Sequence, residues 1–131
     1  IAWCHGAAGI LLSRLTLYNA IKNLGETALL QQAIKDISLA KNKLIEDGLH
    51  AGFCLCHGNM GNLLILKRYA EIFDDKQVRS ICDSRFEQIL EFLNEENILP
   101  TELYNPGFMT GLSGTRLCFV KNIRCPNYHC L

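Results

Sequence analysis

The chain has 131 residues, 49 % of them hydrophobic, and its 13 basic and 13 acidic residues cancel to zero formal charge. That length suffices for one domain with a buried core. A neutral surface gives no electrostatic footprint for nucleic acid or anionic membrane, and no run of about 18 apolar residues is present to span a bilayer. Without a basic n-region or secretory signal, the expected compartment is the cytosol. The sequence opens mid-motif at Ile1-Ala2-Trp3-Cys4 with no initiating Met, so the expectation is a piece, residues 1–131, of a longer protein.

Taken in order, Ile10, Leu11, Leu15, Leu17, Tyr18 and Ile21 recur mostly at helical spacing and predict a helix over about 7–22. Asn23-Leu24-Gly25 breaks it. Leu29, Leu30, Ala33, Ile34, Ile37, Ala40, Leu44 and Ile45 form one face of a second helix over about 26–46, with Lys35, Asp36, Lys41 and Lys43 largely off that face. Asp47-Gly48 stops it. A more apolar helix is predicted over about 60–73, a break at Asp74-Asp75, and an amphipathic helix over about 76–95. A fifth helix is expected from near Phe108 to about Ile123. No alternating, strand-like segment competes.

The plan repeats. Gly6-x-x-Gly9, Gly58-x-x-Gly61 and Gly111-x-x-Gly114 each open an apolar run, and their first glycines stand 52 and 53 residues apart. A fixed period marks a repeat architecture, with repeats starting near Gly6, Gly58 and Gly111. Each unit is a helix pair whose first helix is the more apolar, which predicts an all-α fold with an inner layer of buried helices and an outer layer of half-wet ones. Glycines at a turn into a buried helix allow positive φ and close backbone approach.

Two of the three turns carry chemistry. Cys4-His5 precedes the first and Cys56-His57 the second. Two thiols and two imidazoles are a zinc ligand set, and three protein ligands leave one position open for a substrate thiol. A metal-bound thiol is deprotonated and becomes a nucleophile at neutral pH. The alternatives are thiols packed as small hydrophobes with histidines capping helices, or a closed Cys₂His₂ structural site. Adjacent Cys and His on one turn rarely both reach one ion, which favours three ligands over four. Cys54 is a further candidate, set back from the glycine turn. Cys82 and Cys118 fall inside predicted helices, where buried thiols are ordinary. Cys125, His129 and Cys130 form a tail cluster read as incidental. Seven cysteines do not pair into a disulfide framework, and this usage fits a reducing cytosol.

Trp3-Cys4-His5-Gly6-Ala7-Ala8-Gly9, Leu55-Cys56-His57-Gly58-Asn59-Met60-Gly61-Asn62 and Asn105-Pro106-Gly107-Phe108-Met109-Thr110-Gly111-Leu112-Ser113-Gly114 together resemble the C-terminal motifs of LanC-like lanthionine cyclases. The Pro-Gly-Phe-Met-Thr-Gly-Leu stretch resembles the cyclase domain of class II, LanM-type, lanthipeptide synthetases. The resemblance implies part of an α/α toroid with zinc at one mouth, held by Cys4, Cys56 and His57. It places His5 and Trp3 at the lining of the site; because the family's catalytic His lies outside this chain, His5 is the candidate for a substitute catalytic acid. It implies addition of a peptide Cys thiol to dehydroalanine or dehydrobutyrine, forming a thioether ring in a lantibiotic precursor peptide. The remainder of the synthetase chain would be a second partner.

Departures accompany the likeness. Ala8 stands where the family has Pro, and the sequence from Thr115-Arg116-Leu117-Cys118 through Cys125–Leu131 diverges from the family's ending. The family's catalytic His and acidic site residue belong to earlier repeats, and its site Arg lies upstream of the Trp-Cys motif. The expectation is therefore an isolated chain inactive in cyclisation, with exposed inner helices that favour self-association. The competing function is a non-catalytic α/α-hairpin module binding zinc or a peptide.

Overall fold

The structure, a computed structural model, describes residues 3–50, 52–95 and 101–124. Five α-helices run in chain order: α1 Ala7–Ile21, α2 Thr27–Asp47, α3 Asn59–Phe73, α4 Lys76–Glu95 and α5 Leu112–Arg124, with a short 3₁₀ turn at Thr101–Tyr104 before α5. No strand occurs among the described residues. The all-α expectation stands, and the first four helices fall within about a residue of their predicted bounds. The Cys125, His129 and Cys130 tail lies outside the described residues.

Helix α5 starts four residues later than Phe108 because the residues before it are held in a turn. The Asn105 side chain accepts a hydrogen bond from the Gly107 N–H (2.8 Å) and donates to Thr110 Oγ1 (3.0 Å). The Leu112 N–H donates back to the Asn105 carbonyl (2.8 Å). An Asx-type turn of this kind competes with helix for the backbone donors. The breaks between hairpin helices have equally local causes. Gly25, at φ +76°, ends the α1–α2 link in a conformation that L side chains disfavour. Asp74 takes the left-handed region at φ 50°, and the Asp75 carboxylate caps α4 by accepting from the Val78 N–H at 3.0 Å.

Helices α1 and α2 pack as one hairpin and α3 and α4 as a second, while α1, α3 and α5 touch in series. The core is built from Leu11 and Leu15 of α1, Ile37 and Leu44 of α2, Met60, Leu63 and Leu66 of α3, Cys82 and Phe86 of α4, and Cys118 of α5. Between the layers, Arg14 Nε donates to Asp36 (2.7 Å), and Lys67 pairs with Asp83 at 3.7 Å. The Arg14 hydrogen bond, then that from Gln32, holds the Asp36 carboxyl below its ordinary pKa. Partly exposed pairs of this kind add little to stability. More specific is Asn62, buried in α3, whose Nδ2 donates to the Gly48 carbonyl at 2.7 Å and fixes the end of α2 against the inner layer.

Burial is uneven between the two apolar helices. In α3, Met60, Gly61, Asn62, Leu63, Ile65, Leu66 and Ala70 are all buried, since α1, α2, α4 and α5 all touch it. In α1 the buried positions are Ala8, Leu11, Leu15 and Ile21, and Ile10 is 48 % exposed. The expectation that the first helix of each pair is buried on most sides therefore describes α3 better than α1, which packs chiefly on α2 and, within the inner layer, on α3.

Candidate functional site

Three loops meet where α1, α3 and α5 begin, and their backbones are stitched at Cys56. The Trp3 N–H donates to the Cys56 carbonyl (2.8 Å), and the Cys56 N–H donates to the Met109 carbonyl (2.8 Å). The second glycine of each Gly-x-x-Gly makes this approach possible. A Cβ on Gly9 would meet the Trp3 carbonyl, one on Gly61 the Leu55 carbonyl, and one on Gly114 the Phe108 carbonyl. In each case the opposing residue lies six positions earlier. The first glycines differ among themselves. Gly6 has φ +94°, whereas Gly58 is extended, so positive φ explains the first turn and not the second.

The junction brings two of the three predicted metal ligands together. Cys4 Sγ and Cys56 Sγ lie 3.8 Å apart, as free thiols. Two sulfurs each about 2.3 Å from a tetrahedral zinc stand about 3.8 Å from one another, so this edge has the right length for such an ion. His57 is placed differently. Its Nδ1 lies 3.5 Å from the buried Cys54 Sγ, and His5 Nδ1 lies 3.2 Å from Cys4 Sγ. Among the described residues no three His, Cys, Asp or Glu side chains gather as a metal-holding group. The spacing of the thiol pair equals that of a zinc edge, with His5 beside one of its sulfurs, while His57 stands beside Cys54 and not beside the pair.

Electrostatics at the pair follow from that crowding. Burial first, then the adjoining Cys4 thiol, raises the Cys56 thiol above its ordinary pKa. Two thiolates this close repel one another, and a cation between them removes the conflict. Cys54 is set back as its sequence position suggested: it is buried, and its carbonyl accepts from the Gly58 N–H at 3.1 Å. Trp3 is half-buried and packs against the core.

Several residues that shape the junction escaped the sequence reasoning. Thr115 is buried with its hydroxyl between the carbonyl oxygens of Phe53 (3.0 Å) and Gly111 (3.1 Å), tying α5 to the chain ahead of Cys56. The sequence reading took Thr115 as the start of a divergent ending and so assigned it no structural role. Met109 acts through its carbonyl, which no side-chain pattern could flag. Asn105 could have been found from the Asn-Pro-Gly turn signal.

Cys82 shows the opposite chemistry. It is fully buried in α4 with its Sγ 3.9 Å from the Leu63 carbonyl, and burial, aided by Asp83, pushes its thiol up to about 12. Against an ordinary thiol pKa of 9.0, a value of about 12 lowers the thiolate fraction at neutral pH by about 1000-fold. Iodoacetamide treatment of the native chain, followed by peptide mapping, is expected to label Cys4 well before Cys82. The pH consequence has a definite sign. The native thiol keeps its proton more tightly than the unfolded one, so the stability it contributes is complete below pH 9 and is lost as pH rises toward 12.

The family described as lanthionine synthetase C-like protein matches residues 1–128. The lacticin 481/lactococcin biosynthesis protein LcnDR2 of Lactococcus lactis subsp. lactis is 34 % identical over an alignment of 134 residues, which covers 95 % of this chain and 14 % of that relative. No solved structure matches the chain. None of the described helices is long and apolar enough to cross a membrane. With the Cys-His turns, the repeated glycine contacts and a family match over nearly all of its length, the chain belongs to the lanthionine synthetase C-like family.

Proposed function

We propose that this chain is the zinc-binding part of a class II lanthionine cyclase, in which peptide cysteine thiols are activated for addition to dehydroalanine or dehydrobutyrine. The observation that carries the proposal is the Cys4–Cys56 pair, two sulfurs 3.8 Å apart on loops 52 residues apart in sequence. Cys4, Cys56 and His57 would hold the metal, the last carried over from the family's second motif. Bound there, zinc would supply Lewis acidity that keeps a coordinated thiol ionised at neutral pH. The remaining roles belong to the chain. The three-loop junction holds the two sulfurs at a fixed spacing through the Trp3–Cys56 and Cys56–Met109 backbone bonds. Half-buried Trp3 would wall one side of the site. His5, with Nδ1 3.2 Å from Cys4 Sγ, is the acid this chain could bring to the carbon that gains a proton after thiol addition.

The chain spans 14 % of the length of its lactococcal relative, and in this proposal the other repeats complete an α/α toroid and contribute the stronger acid. A dehydrated lanthipeptide precursor would be the substrate. Two measurements test this: zinc content of the purified chain, expected at one ion per molecule, and loss of free thiols from a dehydrated precursor incubated with the zinc-loaded chain. Proton delivery by a positioned side chain typically contributes about 10²–10⁴-fold in rate. Ring formation is therefore expected to be slower than with an intact cyclase by about that factor. A rate equal to the intact enzyme's would make His5 the working acid, checked by its loss in His5→Ala. Absence of bound zinc would overturn the proposal.

A further inference from the structure

We propose that Cys4 and Cys56 form an oxidation site, which a hydroperoxide converts to an intrachain disulfide joining the loop before α1 to the loop before α3. The sulfurs lie 3.8 Å apart. A disulfide needs about 2.05 Å between sulfurs, so closure requires a movement of under about 2 Å, within the swing of two side chains. The loops need not travel, because the Trp3 N–H is already bonded to the Cys56 carbonyl. Access also favours this pair. Cys4 is exposed and Cys56 partly so, whereas Cys54, Cys82 and Cys118 are buried and Cys54 lies against His57.

The step balances with the peroxide as oxidant. The Cys4 sulfur attacks one peroxide oxygen, the O–O bond breaks, and the products are a sulfenic acid and water, or an alcohol for an alkyl hydroperoxide. The Cys56 sulfur then displaces the sulfenic hydroxyl, which leaves as water with the Cys56 proton, and the S–S bond forms. Two thiols are oxidised and one peroxide is reduced. A dithiol reductant reverses the bridge. The geometry stands without any metal; only the consequence rests on the proposed zinc site, since both its sulfurs would be consumed, making metal loading sensitive to oxidation.

The test uses the full 131-residue chain, reduced, freed of metal and treated with stoichiometric hydrogen peroxide. Intact mass, then peptide mapping after alkylation, gives the result. Expected is a monomer lighter by two hydrogens, a linked peptide containing Cys4 and Cys56, and reversal by dithiothreitol. Cys4→Ser and Cys56→Ser should each abolish that linkage, while Cys82→Ala should leave it intact. A bridge mapped to Cys54, Cys125 or Cys130 instead, or no loss of hydrogens in a chain with native helical circular dichroism, overturns the inference. A parallel sample carries one equivalent of zinc, and slower bridging is expected. If bridging is unaffected by zinc, the oxidation site stands and the metal reading falls. If zinc binds through Cys56 but peroxide forms no bridge, the oxidation site falls and the metal reading stands.

Discussion

Replacing Cys56 by Ala is expected to take the chain from one bound zinc to almost none. Cys56 is both half of the 3.8 Å sulfur pair and the residue at which the backbones of the three loops join. Removing its sulfur leaves Cys4 and His57, and two ligands rarely keep zinc against water and competing chelators. The backbone bonds to Trp3 and Met109 survive in the variant, so the fold should persist and the loss should be specific to metal. Cys82→Ala is the matched control: it deletes a thiol from α4, outside the junction, and should leave zinc content unchanged despite a cost in packing. Metal analysis of the purified variants, with helical circular dichroism to show folding, separates the outcomes. Equal zinc in the wild type and Cys56→Ala would place the metal elsewhere.

Gly61→Ala is expected to be among the most destabilising single changes in the chain. The added Cβ would land on the Leu55 carbonyl oxygen, with Leu55 backbone carbon behind it, and no flexible side chain is available to yield. Forced overpacking of this kind costs about 1–3 kcal/mol and sometimes more, and here it would push apart the loop carrying Cys56 and the start of the most buried helix. Gly111→Ala should behave alike, since its Cβ would meet the Asn105 carbonyl that receives the Leu112 N–H. Gly25→Ala offers the contrast. Nothing lies within 4 Å of its Cβ position, and the penalty is confined to the positive φ of 76°, about 1 kcal/mol. Denaturant unfolding of the three variants should rank Gly61 and Gly111 well above Gly25. Similar midpoints for all three would show that the loops separate without cost.

The sequence by itself determined the helices and the breaks between them. Apolar spacing in α1 to α4 is a local property, and breaks such as Gly25 and Asp74-Asp75 are written in residues whose backbone preferences act over a few positions. The Cys-His-Gly turns were legible for the same reason, as was their family. Tertiary structure decided what those residues meet. That Cys4 and Cys56 lie 3.8 Å apart depends on two loops 52 residues distant being brought together by packing of α1 on α3. That His57 lies by Cys54 depends on side-chain rotation within a tight turn, which spacing does not encode. The late start of α5 came from the Asn105 turn outcompeting an otherwise helical apolar run. The unequal burial of α1 and α3 came from their neighbours, because apolar content states how much surface a helix would bury, and only the surrounding helices determine how much of it is covered.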